Sequence, residues 1–285
     1  MLDNEQGDSL LLAFPNGHTM LIDGGGLAGS EVVRGSRSGA DIGEKVVSAS
    51  LWTCGIKRLD VIALTHPHHD HLDGLRTALE NFRVGEFWVG RDEETPAFAS
   101  LRQQARGRRV KVVTETQGRR FNFDGVAGLV LWPVDISTVT KAANDNSIVL
   151  RLPDGAEKFL LPGDIEKRTE NDLVDENAAL AADFLKVPHQ GSKTSSADAL
   201  VAAVAPKAAV VSVGADNPFG HPVDAVVERY KAAGVRLLRT DEDGAVTATT
   251  DGSSLTVTTY AAEHPQSVTH PIPPPWSHFP SDIPR

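Results

Sequence analysis

Apolar residues in this chain of 285 fall in short runs closed by turn residues, the pattern of buried or half-buried strands. Strands are expected over 9–14, 18–22, 60–64, 87–89, 110–113, 129–132, 147–152, 158–161, 184–187, 209–213, 236–238, 245–249 and 255–260. Helical periodicity is clearest over 43–54, 72–82, 197–204 and 223–233, the last stopped by Gly234. Pro15-Asn16-Gly17 closes the first strand pair into a hairpin, because Pro presets φ and Asn-Gly tolerates positive φ. Hairpins mixed with helix-covered strands predict a layered α/β body, two mixed sheets flanked by helices. The pattern stops at His264. Seven of the 17 prolines fall in the last 21 residues, so 1–262 reads as one folded domain and 263–285 as a flexible proline-rich tail.

Composition and charge narrow the class. A single cysteine, Cys54, excludes an intrachain disulfide. The 28 basic and 38 acidic side chains leave a net charge of −10, which argues against general adhesion to nucleic acid or anionic lipid. The opening residues hold no basic and apolar leader, and no run approaches the ~18 apolar residues that span a bilayer. The chain therefore reads as soluble, with no membrane insertion. One segment runs against the overall charge. Between 102 and 120 lie Arg102, Arg106, Arg108, Arg109, Lys111, Arg119 and Arg120, opposed only by Glu115. Such a strip can guide a polyanion to one face, although a solvated surface is the commoner fate of a charge run.

The densest chemistry is His66-Pro67-His68-His69-Asp70-His71, four of the ten histidines within six positions. A buried strand leads into this turn, and Pro67 biases His66 toward an extended conformation. His66 and His68 then project to one side, suited to one metal ion, while Asp70 and His71 open a helix near Leu72 and suit a second. Imidazole with carboxylate fits Zn²⁺, Mn²⁺ or Fe²⁺, and the absence of thiolates argues against a structural zinc finger. A solvated His-rich turn would not need a buried strand before it and a helix after it.

These residues resemble the His-x-His-x-Asp-His signature of the metallo-β-lactamase-fold hydrolases. Six further segments occur in the order found in the soluble C-terminal domain of the ComEC competence family. They are Gln6-Gly7-Asp8-Ser9, Leu21-Ile22-Asp23-Gly24-Gly25-Gly26, Asn144-Asp145-Asn146-Ser147, Leu161-Pro162-Gly163-Asp164, Leu185-Lys186-Val187-Pro188-His189-Gln190-Gly191-Ser192 and Phe219-Gly220-His221-Pro222. The resemblance covers about 2–260 and implies an αββα sandwich with one or two divalent ions, Zn or Mn, at the sheet edge. It departs from the family twice. Gln190 stands where a second histidine is usual, and fewer residues precede Gly7, so the start reads as clipped.

The resemblance also extends the ligand set to His66, His68, Asp70, His71, Asp164 and His189. Asp164, at a strand end, would bridge two metals, with capping of the following helix as its competing role. No histidine lies between His71 and His189, so the ion on His66 and His68 needs Asp164, water or a group from Asn144–Ser147, where Asn146 and Ser147 are expected beside the ligands or substrate. Asp23 is expected to hydrogen-bond a ligating histidine. The glycines after Asp23 are expected to let backbone pass close to the metals. His221 is open between metal contact and donation to substrate, and Ser192 and Lys193 are placed near a substrate phosphate. Asp70 and His221 are the expected catalytic groups.

A divalent ion lowers the pKa of bound water to about 7, which serves phosphorus and acyl carbon equally. The ComEC resemblance implies a DNA nuclease that degrades the non-imported strand during natural transformation. Its substrate would be single-stranded DNA. Its partner would be a membrane channel on another chain or a removed segment, and its place the outer face of the cytoplasmic membrane. Two alternatives stay open: a free-standing hydrolase of lactones, thioesters or small phosphodiesters, which would be cytoplasmic, and a binding module weakened by Gln190.

Overall fold

The computed structural model describes residues 1–3, 7–26, 42–134, 143–176, 178–215 and 217–263. The expected tail, apart from Glu263, lies outside the described residues, as does Gln6. The apolar runs form strands β1 (Leu10–Ala13), β2 (Thr19–Ile22), β3 (Arg58–Leu64), β4 (Arg83–Val89) and β5 (Lys111–Thr114), which make one sheet in that order. A second sheet holds β6 (Arg120–Phe123), β7 (Val126–Trp132), β8 (Val149–Asp154), β9 (Glu157–Leu161), β10 (Phe184–Lys186), β11 (Ala208–Val211) and β12 (Arg236–Arg239), in the order β12-β11-β10-β9-β8-β7-β6. Both sheets are mixed: β1 and β2 are antiparallel and β2 to β5 parallel, while β6 to β9 are antiparallel and β9 to β12 parallel. A hairpin of β13 (Val246–Thr250) and β14 (Leu255–Thr259) follows.

Side-chain alternation explains the layering. Met20 and Ile22 of β2, with Val61 and Ala63 of β3, meet Val130, Leu150 and Leu161 of the second sheet in a shared core. Their neighbours Leu21, Ile62 and Leu64 turn the other way, against α1 (Ala49–Thr53), α2 (His69–Asn81) and α3 (Pro96–Gly107), through Leu51, Leu75 and Leu101. On the far side Val149, Leu185 and Val211 pack on α4 (Lys167–Asp175), α5 (Asp198–Val204) and α6 (Asp224–Ala232) through Leu173, Leu200 and Tyr230. Short helices α7 (Thr240–Asp243) and α8 (Tyr260–Glu263) flank the terminal hairpin. This is the αββα sandwich that the sequence implies.

Several elements differ from expectation. The helix over 43–54 opens as a π-helical turn, Gly43–Ser48, before α1. Helix α2 starts at His69 rather than near Leu72, so Asp70 and His71 occupy its first turn. Helix α3 and strand β6 fall outside the expected elements, and the helix expected directly after Asp164 starts at Lys167 as α4. The chain leaving β2 lies tight against α2. A Cβ on Gly74 would collide with the Gly24 carbonyl, Gly24 N donates to His71 O at 2.7 Å, and Gly74 N donates to Gly25 O at 3.1 Å. Only glycine permits this approach. It brings the end of β2 against the histidine turn. No helix among the described residues is long and apolar enough to cross a membrane.

Candidate metal centre

Strand β3 delivers Thr65 and His66 to the C-terminal edge of the first sheet, and α2 carries His69 to His71 back across it. His66 and His71 are fully buried, with ring centroids 4.2 Å apart. His66 Nε2 shares a hydrogen bond with His68 Nδ1 at 3.0 Å. Asp23 ties the turn together. Its carboxylate accepts from His71 Nδ1 at 2.8 Å, from Thr65 Oγ1 at 2.7 Å and from Thr65 N at 2.8 Å. That leaves His71 Nε2 pointing at Asp164 Oδ2, 3.2 Å away, and at Asp70 Oδ2, 3.8 Å away. Gly24 to Gly26 lie against the first turns of α2, and so brace the histidines from behind.

The second sheet supplies the opposing groups. Asp164 leaves the end of β9, and its backbone N donates to Ser147 Oγ at 3.1 Å, while that hydroxyl sits 3.3 Å from His66 Nδ1. Asp164 does not cap α4; the N-cap there is Glu166. Its Oδ1 accepts instead from Lys186 Nζ at 2.7 Å, and Lys186 also ion-pairs with Asp8. One carboxylate oxygen of Asp164 thus faces the imidazoles and the other faces an ammonium. After β10 the chain takes three consecutive left-handed residues, His189 (φ 46), Gln190 (φ 51) and Gly191 (φ 74). Such backbone costs about 1–3 kcal/mol per strained residue and persists where surroundings enforce it. Here it turns Gln190 inward, to donate to Asp70 Oδ2 at 3.1 Å. The residue that departs from the family pattern holds a carboxylate of the site.

His189 Nδ1 lies 3.3 Å from Glu166 Oε1, and its ring is 5.9 Å from that of His221. Ser192 bonds Thr194 and Lys193 is exposed, so neither touches the cluster in this structure. Asn146 is buried and its side chain hydrogen-bonds Asp92, a carboxyl that burial pushes up to about 8.

The electrostatics follow from burial. Desolvation opposes charge on His71, but Asp164, Asp23 and Asp70 outweigh it and hold its pKa well above the usual value. His66 moves well below, through burial and the neighbouring His71. Burial also opposes charge on Asp164, yet Lys186 and His71 keep its carboxyl well below the usual range. Lys186 is raised because Asp164 and Asp8 overcome its own desolvation. Burial pushes Asp8 to about 7 against the pull of Lys186.

These donors fit a divalent cation. His66, His71 and Asp164 offer ligand atoms within 4.8 Å of one another, as do Asp8, Asp23 and His71. Four carboxylates, from Asp8, Asp23, Asp70 and Asp164, gather around His71, and Asp8 and Asp164 also pair with the buried Lys186 ammonium, so acids outnumber cations. An excess of buried negative charge is costly unless a cation balances it. Among the described residues, buried His221 Nδ1 has no hydrogen-bond partner, and His189 Nδ1 has the Glu166 carboxylate at 3.3 Å without a hydrogen bond. Nitrogen and oxygen donors of this kind suit borderline divalent metals, without selecting one.

Sequence reading missed Asp8, Thr65 and Lys186 as site residues. Lys186 left a signal, a lone cation inside the apolar run Phe184 to Val187. The place of the basic strip follows from the strand register. β3, β4 and β5 are parallel and start together, with Arg58 opposite Arg83 and Glu86 opposite Lys111. The exposed Arg106, Arg108, Arg109 and Lys111 cluster at that starting end with Lys57, Arg58 and Arg83. His66 follows the other end of β3, roughly 20 Å away at ~3.3 Å per residue. Arg102 pairs with Glu94 at 2.6 Å, while Arg119 pairs with Glu115 and covers the Trp88 ring at 4.6 Å. Most of the strip's charge thus gathers at the end of the first sheet away from His66.

Fold and donor set together define a metallo-hydrolase-like sandwich, and comparison with known proteins agrees. The chain belongs to the Metallo-beta-lactamase superfamily, whose model matches residues 2–215. It is 31% identical to ComE operon protein 3 of Bacillus subtilis (strain 168), over 86% of this chain and 32% of that protein. It is also 31% identical to Competence protein ComA of Neisseria gonorrhoeae, over 86% of this chain and 31% of that one. Recombination protein 2 of Haemophilus influenzae is 32% identical over 61% of this chain and 21% of its own. The resemblance to the ComEC family therefore holds in sequence, and the chain spans about a third or less of these relatives. Among solved structures, the CmlA beta-hydroxylase E377D mutant superposes with a TM-score of 0.52 at 13% identity, over 82% of this chain and 51% of that one. The metallo-beta-lactamase fold protein YhfI from Bacillus subtilis gives 0.50 at 11% identity, over 83% and 89%. At such identities these two report the fold alone.

Proposed function

We propose that this chain is a metal-dependent hydrolase of DNA phosphodiesters. The observation that carries the reading is the convergence of His66, His71 and Asp164 with an excess of buried carboxylate. The names of the similar proteins, one for competence and one for recombination beside the ComE operon protein, support DNA as the substrate.

His66, His68, Asp70, His71, Asp164 and His189 would hold one or two ions, zinc or manganese. Such an ion supplies water acidified to a pKa of about 7 and a counter-charge for phosphate oxygens. The protein groups do the rest. Asp23 fixes His71 by holding its Nδ1 proton, so that Nε2 is presented to the site. Gln190 occupies one oxygen of Asp70, which leaves the other to accept a proton from the attacking water. His221 lies beside His189, where its imidazole is placed to donate to a phosphate or leaving oxygen. DNA reaches this mouth beside a membrane channel carried elsewhere, on the outer face of the cytoplasmic membrane.

The test is elemental analysis of the purified chain together with DNA degradation under added Mn²⁺, Zn²⁺ or Mg²⁺. Metal-dependent degradation that Asp70→Asn abolishes is the expected result. Turnover of esters or lactones with DNA left intact would instead make the chain a small-molecule hydrolase. Bound metal with no turnover of either would make it a binding module.

A further inference from the structure

Phe219 is 48% exposed, one of two large apolar side chains left open among the described residues. A lone exposed apolar residue is ordinary and needs no explanation. This one is placed. Its ring centroid lies 5.8 Å from that of His221 with the planes tilted by 30°, and His221 lies 5.9 Å from His189. Three rings therefore run outward from the metal centre, and Phe219 is the last.

The segment that presents it is held firmly. Asn217 Nδ2 donates to Gly214 O at 3.0 Å and to His221 O at 2.8 Å, and its Oδ1 accepts from His221 N at 2.9 Å. Val223 N donates to Gly191 O at 3.0 Å, which ties the same segment to the His189 turn. Gly220 turns at φ +65 between Phe219 and His221. An aromatic face fixed in water at the mouth of a site is ready to take a flat group with little loss of freedom on binding.

Charge points to the same occupant. The chain carries −10 overall, and most of the basic strip lies at the far end of β3 to β5, while Lys167, Arg168 and Lys193 are exposed beside Glu166 and the His189 turn. Such cations meet phosphate and leave the base ungripped, so the base needs another contact. Stacking of a base on an aromatic ring supplies it and tolerates any sequence, because every base has a π-face.

We infer that Phe219 is a stacking platform for the nucleobase next to the scissile phosphate, so that the site takes an unstacked strand. The inference rests on the DNA-hydrolase reading and adds the feature of the substrate that the mouth selects. In an intact duplex both faces of each base are covered, and the platform finds nothing to hold.

The experiment is a double-mutant cycle on the metal-loaded chain. Single-stranded oligonucleotides with and without one abasic position are cleaved by the wild type and by Phe219→Ala and Phe219→Trp, with the cut sites mapped. In the wild type, loss of the base beside the cut lowers kcat/KM roughly 5- to 150-fold, from the ~1–3 kcal/mol of one stacked base at ~1.4 kcal/mol per tenfold. Phe219→Ala lowers cleavage of the intact strand by a similar factor and no longer distinguishes the abasic one; Phe219→Trp does. A closed circular duplex is cut more slowly than the same sequence as a single strand. A wild type indifferent to the missing base, a Phe219→Ala variant that keeps the full penalty, or equal cleavage of duplex and single strand would each overturn the platform while leaving a nuclease. If the loaded wild type cuts no DNA, the functional reading falls and the platform with it.

Discussion

The two ends of the first sheet handle charge in opposite ways. At the C-terminal end of β2 and β3, Asp23, His66 and His71 are buried, and with Asp164 and Lys186 every charge faces another. At the starting end of β3, β4 and β5, Lys57, Arg83, Arg108 and Arg109 are exposed and take part in no ion pair among the described residues. The same strands run through both ends. What differs is the company that the rest of the chain provides. Desolvated charges must be balanced within the protein, so their positions are fixed; solvated ones are screened over ~10 Å and need no partner.

The contrast can be broken at its buried end first. Lys186→Met leaves Asp8 and Asp164 facing each other without their ammonium, and should cost about 3–5 kcal/mol in urea unfolding with chelator present. Adding Asp8→Asn should restore part of that loss, and a cost below ~1 kcal/mol would mean that Lys186 does not balance this cluster. A smaller effect is expected for Asp23→Asn, which removes the carboxylate that sets His71. Metal affinity should fall about 10- to 100-fold with the fold retained, as measured by competition with a chromophoric chelator. Smallest is the exposed end. Arg108→Glu combined with Arg109→Glu should shift unfolding free energy by no more than about 0.5 kcal/mol and leave the salt dependence of DNA cleavage unaltered. A lost salt slope would show that DNA does reach that end.

Much of the sandwich was legible because alternation alone identifies a two-sided strand. β2, β3, β8 and β9 were expected close to where they occur, and each divides its side chains between the shared core and a helix layer. Helices α3 and α4 were harder. In α3 the buried residues Phe98, Leu101 and Ala105 keep helical spacing behind a Thr95 cap and Pro96, but Arg102 and Arg106 beside them read as part of a charge run. In α4 the buried face consists of Thr169, Glu170 and Leu173, too polar for periodicity to register. Glu170 is buried because Ser196 N and Ala197 N both donate to it at 2.6 Å, partners that no local pattern announces.

By itself the sequence determined the strand, histidine turn and helix that begin the metal site, since burial of β3 and the restriction at Pro67 are local facts. Only the tertiary structure decided that Asp164, 93 residues from His71, stands opposite it, and that Lys186 and Asp8 close the cluster from a second sheet and from the start of the chain. It also decided that the basic strip serves the far end of the sheet. Whether a charge becomes a ligand, a counter-ion or a solvated surface group depends on what excludes water from it, and that is set by residues remote in the chain.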